Sequence, residues 1–264
     1  VLLKMTNSKN ILIFFLFFLY ILIGSYLSLT NGITSDEFIE QNNWLINLSA
    51  SKEFIATGQY PSFLEFWDRY HGIAFHLISQ PVQLLIKDFI TNLNNTTELG
   101  GLLLSKHLVV FIVFSISGIF FYLLLFKIFK NQYLSLLGAA IYLLYPYLFG
   151  HAQFNSKDIP FMSFWLINTF ISLNLLEDLF LNREIKFKKL IILSFLTAFL
   201  ISIRIVGLLI FIQYFISLII CTEKSKKSFF KFIKSNFIIF TVFLLFTFVF
   251  IIILNPIFWH NPFE

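Results

Sequence analysis

Two stretches of this chain concentrate side chains that can do chemistry. Thr34-Ser35-Asp36-Glu37 sets two carboxylates side by side. Gly150-His151-Ala152-Gln153-Phe154-Asn155-Ser156-Lys157-Asp158-Ile159-Pro160-Phe161 packs His, Gln, Asn, Lys and Asp into one short turn. A carboxylate can take the proton of an attacking hydroxyl. A cation or a metal can stabilise charge on a leaving group. Each stretch also has a plainer reading. Thr34 and Glu37 have the spacing of a helix capping box. Asp158-x-Pro160 suits the start of a helix, with Asp as N-cap and Pro in the first turn. That second reading leaves His151, Gln153 and Lys157 unexplained.

Two further features stand out. Arg204 sits deep in an apolar stretch, with Gly207 just after it. A charge at membrane depth costs at least ~2.5 kcal/mol on insertion scales. Arg204 either snorkels to the surface or faces a polar cavity, where a guanidinium suits a phosphate. Asn255-Pro256-Ile257-Phe258-Trp259-His260-Asn261-Pro262 closes the last apolar run. Pro256 as a stop and Trp259 as an interface anchor explain half of it. The repeated Asn-Pro around His260 is left over. There is no P-loop, GxGxxG, HExxH or GxSxG, and the His spacing is not that of a metal-binding helix. One cysteine, Cys221, excludes an internal disulfide and a cysteine metal cluster.

These residues need a scaffold, and composition names its kind. Of 264 residues, 58% are hydrophobic and 12% charged, against roughly 25% charged in soluble domains. Mean hydropathy is +0.84. The chain is therefore expected to be an all-α, polytopic membrane protein. Five apolar runs are long enough to cross: Ile11–Leu29, His107–Phe129, Tyr133–Phe149, Ile159–Leu176 and Phe237–Leu254. Leu190–Cys221 would be roughly 48 Å long as a single helix. It is expected to be two short helices meeting at Arg204–Gly207, which gives seven spans.

Charge placement agrees with that count. With the N-terminus cytoplasmic, the Arg183–Lys189 cluster and the Lys224–Lys234 run fall inside with most other basic residues. The net charge of +5 is then a topology signal and no hint of nucleic-acid binding. Most acids fall outside, as do Trp44, Trp67 and Trp259, with Trp165 near that interface. His71–Leu93, with Pro81, Lys87 and Asp88, is expected to lie along the outer interface as an amphipathic helix. The large outer loop then runs over 30–106. The first apolar run is read as a permanent helix, since it lacks a small-residue cleavage site.

Taken together, the motifs resemble bacterial membrane glycosyltransferases of the GT-C class. The branch is that of dolichyl-phosphate-mannose protein mannosyltransferases and lipid A sugar transferases. The resemblance rests on Asp36-Glu37 after span one and on Gly150-His151-x-x-Phe154-Asn155-x-Lys157-Asp158-x-Pro160-Phe161. The Ile203-Arg204-x-x-Gly207 break and the closing Asn255-Pro256…Trp259-x-Asn261-Pro262 add to it. It covers most of the chain. It implies one module over 1–264 with seven spans and interfacial helices in the first outer loop. Family members continue into further spans, so more chain is expected downstream.

The resemblance also implies an activity. A sugar would pass from a polyprenyl-phosphate donor to a protein, lipid or glycan acceptor, with inversion, on the outer face of a bacterial inner membrane. Asp36 is the expected general base, with Glu37 beside it or binding acceptor. Lys157 and Arg204 are expected to hold the donor phosphate. His151, Asn155, Asp158 and His260 are expected to bind substrate. His151 and Asp158 could help hold a divalent metal. The expected partners are the lipid-linked sugar and membrane lipids. A transporter or lipid flippase with a polar cavity around Arg204 is the rival reading.

Overall fold

The structure, a computed structural model, describes residues 7–59, 71–225 and 228–259. Every described element is helical. The order is α1 (Asn7–Leu29), α2 (Ser35–Thr57), α3 (Ala74–Asn94), α4 (Glu98–Phe129), α5 (Gln132–Leu144), α6 (Pro146–His151), α7 (Asp158–Phe180) and α8 (Phe187–Ile203). A 3-10 turn over Ile205–Leu209 then leads into α9 (Ile210–Lys224), α10 (Phe229–Ser235) and α11 (Phe237–Leu254).

Among the described residues five helices are long and apolar enough to cross a bilayer: Ile11–Leu29, Glu98–Phe129, Asp158–Phe180, Ile205–Glu223 and Phe237–Leu254. The chain is an all-helical integral membrane protein. Two of the seven expected spans are shorter. The run Tyr133–Phe149 divides at Pro146: Tyr145 is extended, with ψ 118°, as the residue before a proline prefers. This leaves α5 with 13 residues. α8 has 17 residues, about 26 Å of helix.

The break after α8 falls where the sequence implies. Arg204 is extended, with φ −146° and ψ 132°, and the chain resumes as the 3-10 turn before α9. The core gathers around the middle of α4, where Val110, Phe111 and Phe114 pack with Ile159, Phe199 and Ile203. Between α7, α8 and α9 lies a set of buried amides and hydroxyls. Trp165 donates to Gln213 at 2.6 Å, Gln213 to Thr169 at 2.8 Å and Asn168 to the Leu196 carbonyl at 3.0 Å. In hydrocarbon such bonds join helices that have no water to exclude.

The loop over 30–106 contains α2 and α3, tied to α4 through Glu37–His107 and Gln83–Leu102. α3 folds back along the first turns of α4. Gln83 donates to the Leu102 carbonyl at 2.9 Å. A Cβ at Gly101 would stand 2.8 Å from the Lys87 carbonyl, so only glycine allows this approach. The helix expected over His71–Leu93 is present as α3, Ala74–Asn94, and its buried side rests on α4. Trp44, expected on the outer side, is buried and stacks on His76 with ring centroids 5.4 Å apart. Trp67 and His260 lie outside the described residues.

Candidate active site

A cavity of about 500 Å³ lies between α2, the loop before α3, the loop between α6 and α7, and the break after α8. Asp36, Glu37, His151, Asn155, Lys157, Asp158 and Arg204 all line it. These side chains come from three distant parts of the sequence, and each is placed by a local cause.

The start of α2 separates the two neighbouring carboxylates. Glu37 reaches back to Thr34, taking its backbone N–H at 2.8 Å and its hydroxyl at 3.0 Å. This is the reciprocal half of a capping box. The other Glu37 oxygen, Oε2, is 2.6 Å from Nε2 of His107. His107 Nδ1 is 3.1 Å from the Ser28 carbonyl. Glu37 is 2% exposed, so this chain ties α1, α2 and α4 together. Asp36 is exposed at the cavity wall. Its carboxylate has no hydrogen bond or ion pair among the described residues.

The loop between α6 and α7 is organised by Asn155. Its Oδ1 accepts the backbone N–H of Lys157 at 3.2 Å and of Asp158 at 2.8 Å. Its Nδ2 donates to Asp158 Oδ2 at 3.2 Å and lies 3.3 Å from His151 Nδ1. This satisfies orphan amides at the head of α7 and turns the Lys157 and Asp158 side chains into the cavity. Arg204 Nη2 reaches Asp158 Oδ1 at 2.7 Å, joining the break after α8 to the head of α7. Both side chains keep substantial exposure, 40% and 55%. A pair that open adds little stability, but it fixes where the guanidinium points.

Three residues outside the expected set of site residues support the site. Gly72 lets the chain before α3 lie against the end of α8, where a Cβ would be 2.1 Å from the Ser202 carbonyl. Asn255, from the closing motif, donates to Ser202 Oγ at 2.6 Å and pins that same end. Glu40 is the third. It lies 3.7 Å from Lys157 Nζ and 3.4 Å from Lys106 Nζ, and it accepts from the Ser156 hydroxyl. The spacing of Asp36 and Glu40 was the available signal, since four residues apart on a helix means one face.

Beneath Glu40 lies Lys106, with no exposed side-chain surface. Its Nζ is 3.2 Å from His76 Nε2, so an ammonium donates to an unprotonated ring nitrogen. Burial pushes the His76 pKa well below the ordinary imidazole value, and the Lys106 and Lys157 charges push it further the same way. His76 is thus a neutral acceptor under the cavity floor.

Metal binding does not fit this donor set. Among the described residues no group of three or more His, Cys, Asp or Glu side chains could hold an ion. His151 and Asp158 are joined through the Asn155 amide, and Asp158 is engaged by Arg204. The cavity therefore offers one free carboxylate, two cations near its rim and several amide and imidazole groups. No family model matches the chain, and no curated protein or solved structure matches it.

Proposed function

We propose that this chain is a membrane glycosyltransferase that moves a sugar from a polyprenyl-phosphate donor to an acceptor hydroxyl. The observation that carries the reading is the pairing, in one cavity, of the unpartnered Asp36 carboxylate with the Lys157 and Arg204 cations. The cavity volume of about 500 Å³ is in the range of small-ligand sites. The resemblance to the GT-C class supplies the substrate class.

In this mechanism Asp36 takes the proton of the acceptor hydroxyl. The hydroxyl oxygen forms a bond to the anomeric carbon as the bond to the phosphate oxygen breaks. The configuration inverts, and polyprenyl phosphate leaves with the electron pair. A phosphate leaves without a proton, so a second acid is not required. Lys157 and Arg204 balance the charge on the leaving phosphate. Asp158 aims Arg204, and Asn155 and His151 offer hydrogen bonds to sugar hydroxyls. Glu37 holds the head of α2, so the reacting role falls to Asp36 alone.

The finer topology belongs to the same proposal. α5 with α6, and α8, count as short spans beside the five long ones, making a seven-pass GT-C-like module. The basic excess at the opposite end supports an outward-facing site, on the outer side of a bacterial inner membrane. Arg204 at a helix break would also suit a transporter. The mid-bundle polar groups Gln213, Thr169 and Asn168 bond to protein partners, which favours helix joining over a conduit.

The test is transfer from polyprenyl-phosphate sugars by the membrane-embedded protein. Asp36→Asn should lower transfer about 10²–10⁴-fold while donor still binds. Undiminished transfer by Asp36→Asn would remove the assignment.

A further inference from the structure

We infer that the end of the bundle opposite the candidate active site binds one anionic phospholipid, with an acyl chain between the helices and its phosphate at Arg183 and the basic run that follows it to Lys189. This stands apart from the chemistry proposed at the other end. α7 joins the two ends, since its 23 residues span about 34 Å.

The first observation is a half-open apolar space between helices. A cavity of about 380 Å³ lies among α7, α8, α9 and α11, walled by Leu176, Leu193, Leu218, Phe243 and Leu244. Ser172, Tyr214, Ser217 and Thr241 are its hydroxyl-bearing neighbours, and the first two are occupied elsewhere. Ser172 donates to the Thr169 carbonyl at 3.0 Å, and the Tyr214 hydroxyl is 3.0 Å from Thr197 Oγ1. The walls therefore offer mainly hydrocarbon, and the matching occupant is a hydrocarbon chain.

The second observation is what stands at its mouth. Leu179, Leu190 and Ile239 also border an adjoining cleft, which Asn182, Arg183 and Asn236 line. Arg183 and Lys189 share one carboxylate, Asp178, at 3.4 Å and 2.6 Å. Lys186 and Lys188 are exposed and have no carboxylate partner among the described residues. Glu184 and Glu177, the latter paired with Lys127 at 2.5 Å, are the other acids nearby, so positive charge is in excess. Arg183 keeps 60% of its side chain exposed, and its fork matches a phosphate. Basic pockets between membrane helices take anionic headgroups in this way. The apolar cavity selects a lipid over free phosphate, and the mouth selects an anionic headgroup over a zwitterionic one.

Native mass spectrometry of the detergent-purified full chain tests this with phosphatidylglycerol and phosphatidylcholine of identical acyl chains. One phosphatidylglycerol should be retained preferentially. Arg183→Ala and Lys186→Ala should each weaken that retention about five-fold and leave phosphatidylcholine unaffected. Ser217→Phe, which narrows the cavity, should weaken both lipids, and short-chain phosphatidylglycerol should not be retained. Equal retention of the two lipids, or no response to either charge removal, would overturn the headgroup site. Full retention in Ser217→Phe, or of the short-chain lipid, would overturn the buried chain. Unchanged thermal unfolding in Lys186→Ala, an exposed position, separates lost binding from lost folding.

Discussion

Glu37 Oε2 lies 2.6 Å from Nε2 of His107, and both side chains are buried. The relationship decides between two adjacent carboxylates that sequence alone leaves equivalent. Glu37 holds three elements together, while Asp36 faces the cavity unpaired. Their conservative variants should therefore fail differently. Asp36→Asn should lower transfer about 10²–10⁴-fold with thermal unfolding unchanged. Glu37→Gln should lower stability, by about 1–3 kcal/mol for a buried hydrogen-bond partner left unsatisfied. Activity assays and thermal unfolding on both variants check this. A stable, fully active Glu37→Gln would remove the structural role.

Arg204 and Asp158 make the second prediction. The 2.7 Å contact aims a guanidinium from an extended residue between helices. Arg204→Ala should weaken donor binding about ten-fold or more, the scale of lost charged hydrogen bonds. Arg204→Lys should recover little of it, because an ammonium has no planar fork. Asp158→Asn should weaken donor binding less than Arg204→Ala, since the cation remains and only its aim is lost. Donor titration across the three variants measures the order.

Glu40 makes the third. It faces the fully buried Lys106 at 3.4 Å and Lys157 at 3.7 Å. Glu40→Gln leaves a buried ammonium without its carboxylate, so unfolding should come about 3–5 kcal/mol sooner. Adding Lys106→Met removes the stranded charge and should restore most of that stability. Transfer should stay impaired in the double variant, because Lys157 has lost its anchor. A double-mutant cycle read by thermal unfolding and by activity separates the two effects.

Much of the fold was legible because apolar run length and charge position are local signals. The break at Arg204–Gly207, the Thr34–Glu37 cap and α3 all follow from spacing. The division of Tyr133–Phe149 was missed, although Pro146 sits in the run. Average hydropathy hid it, because proline's effect on Tyr145 is conformational. The supporting residues were harder. Lys106 and His107 open an apolar run and look like interface residues, yet both are buried. Their role depends on Glu40 and Glu37, about seventy residues earlier. Gly72 matters only because the end of α8 passes beside it. Such partners are set by packing, which single-chain periodicity does not encode.

His76 carries the pH prediction. Burial first, then the charges of Lys106 and Lys157, hold its folded-state pKa well below the ordinary value. In the unfolded chain the imidazole takes up a proton below about pH 6.5. The unfolded state then binds more protons than the folded state, so stability falls as pH drops through that value. Above it both states are neutral, and His76 contributes no slope. Thermal unfolding of the wild-type chain should fall between pH 7 and pH 5, the window around the unfolded pKa. His76→Gln, which cannot titrate, should lose His76's share of that slope. Gln can still accept from Lys106, whose Nζ lies 3.2 Å from the ring. If the variant keeps the full wild-type slope, the proton uptake belongs to other groups and the neutral assignment of His76 fails.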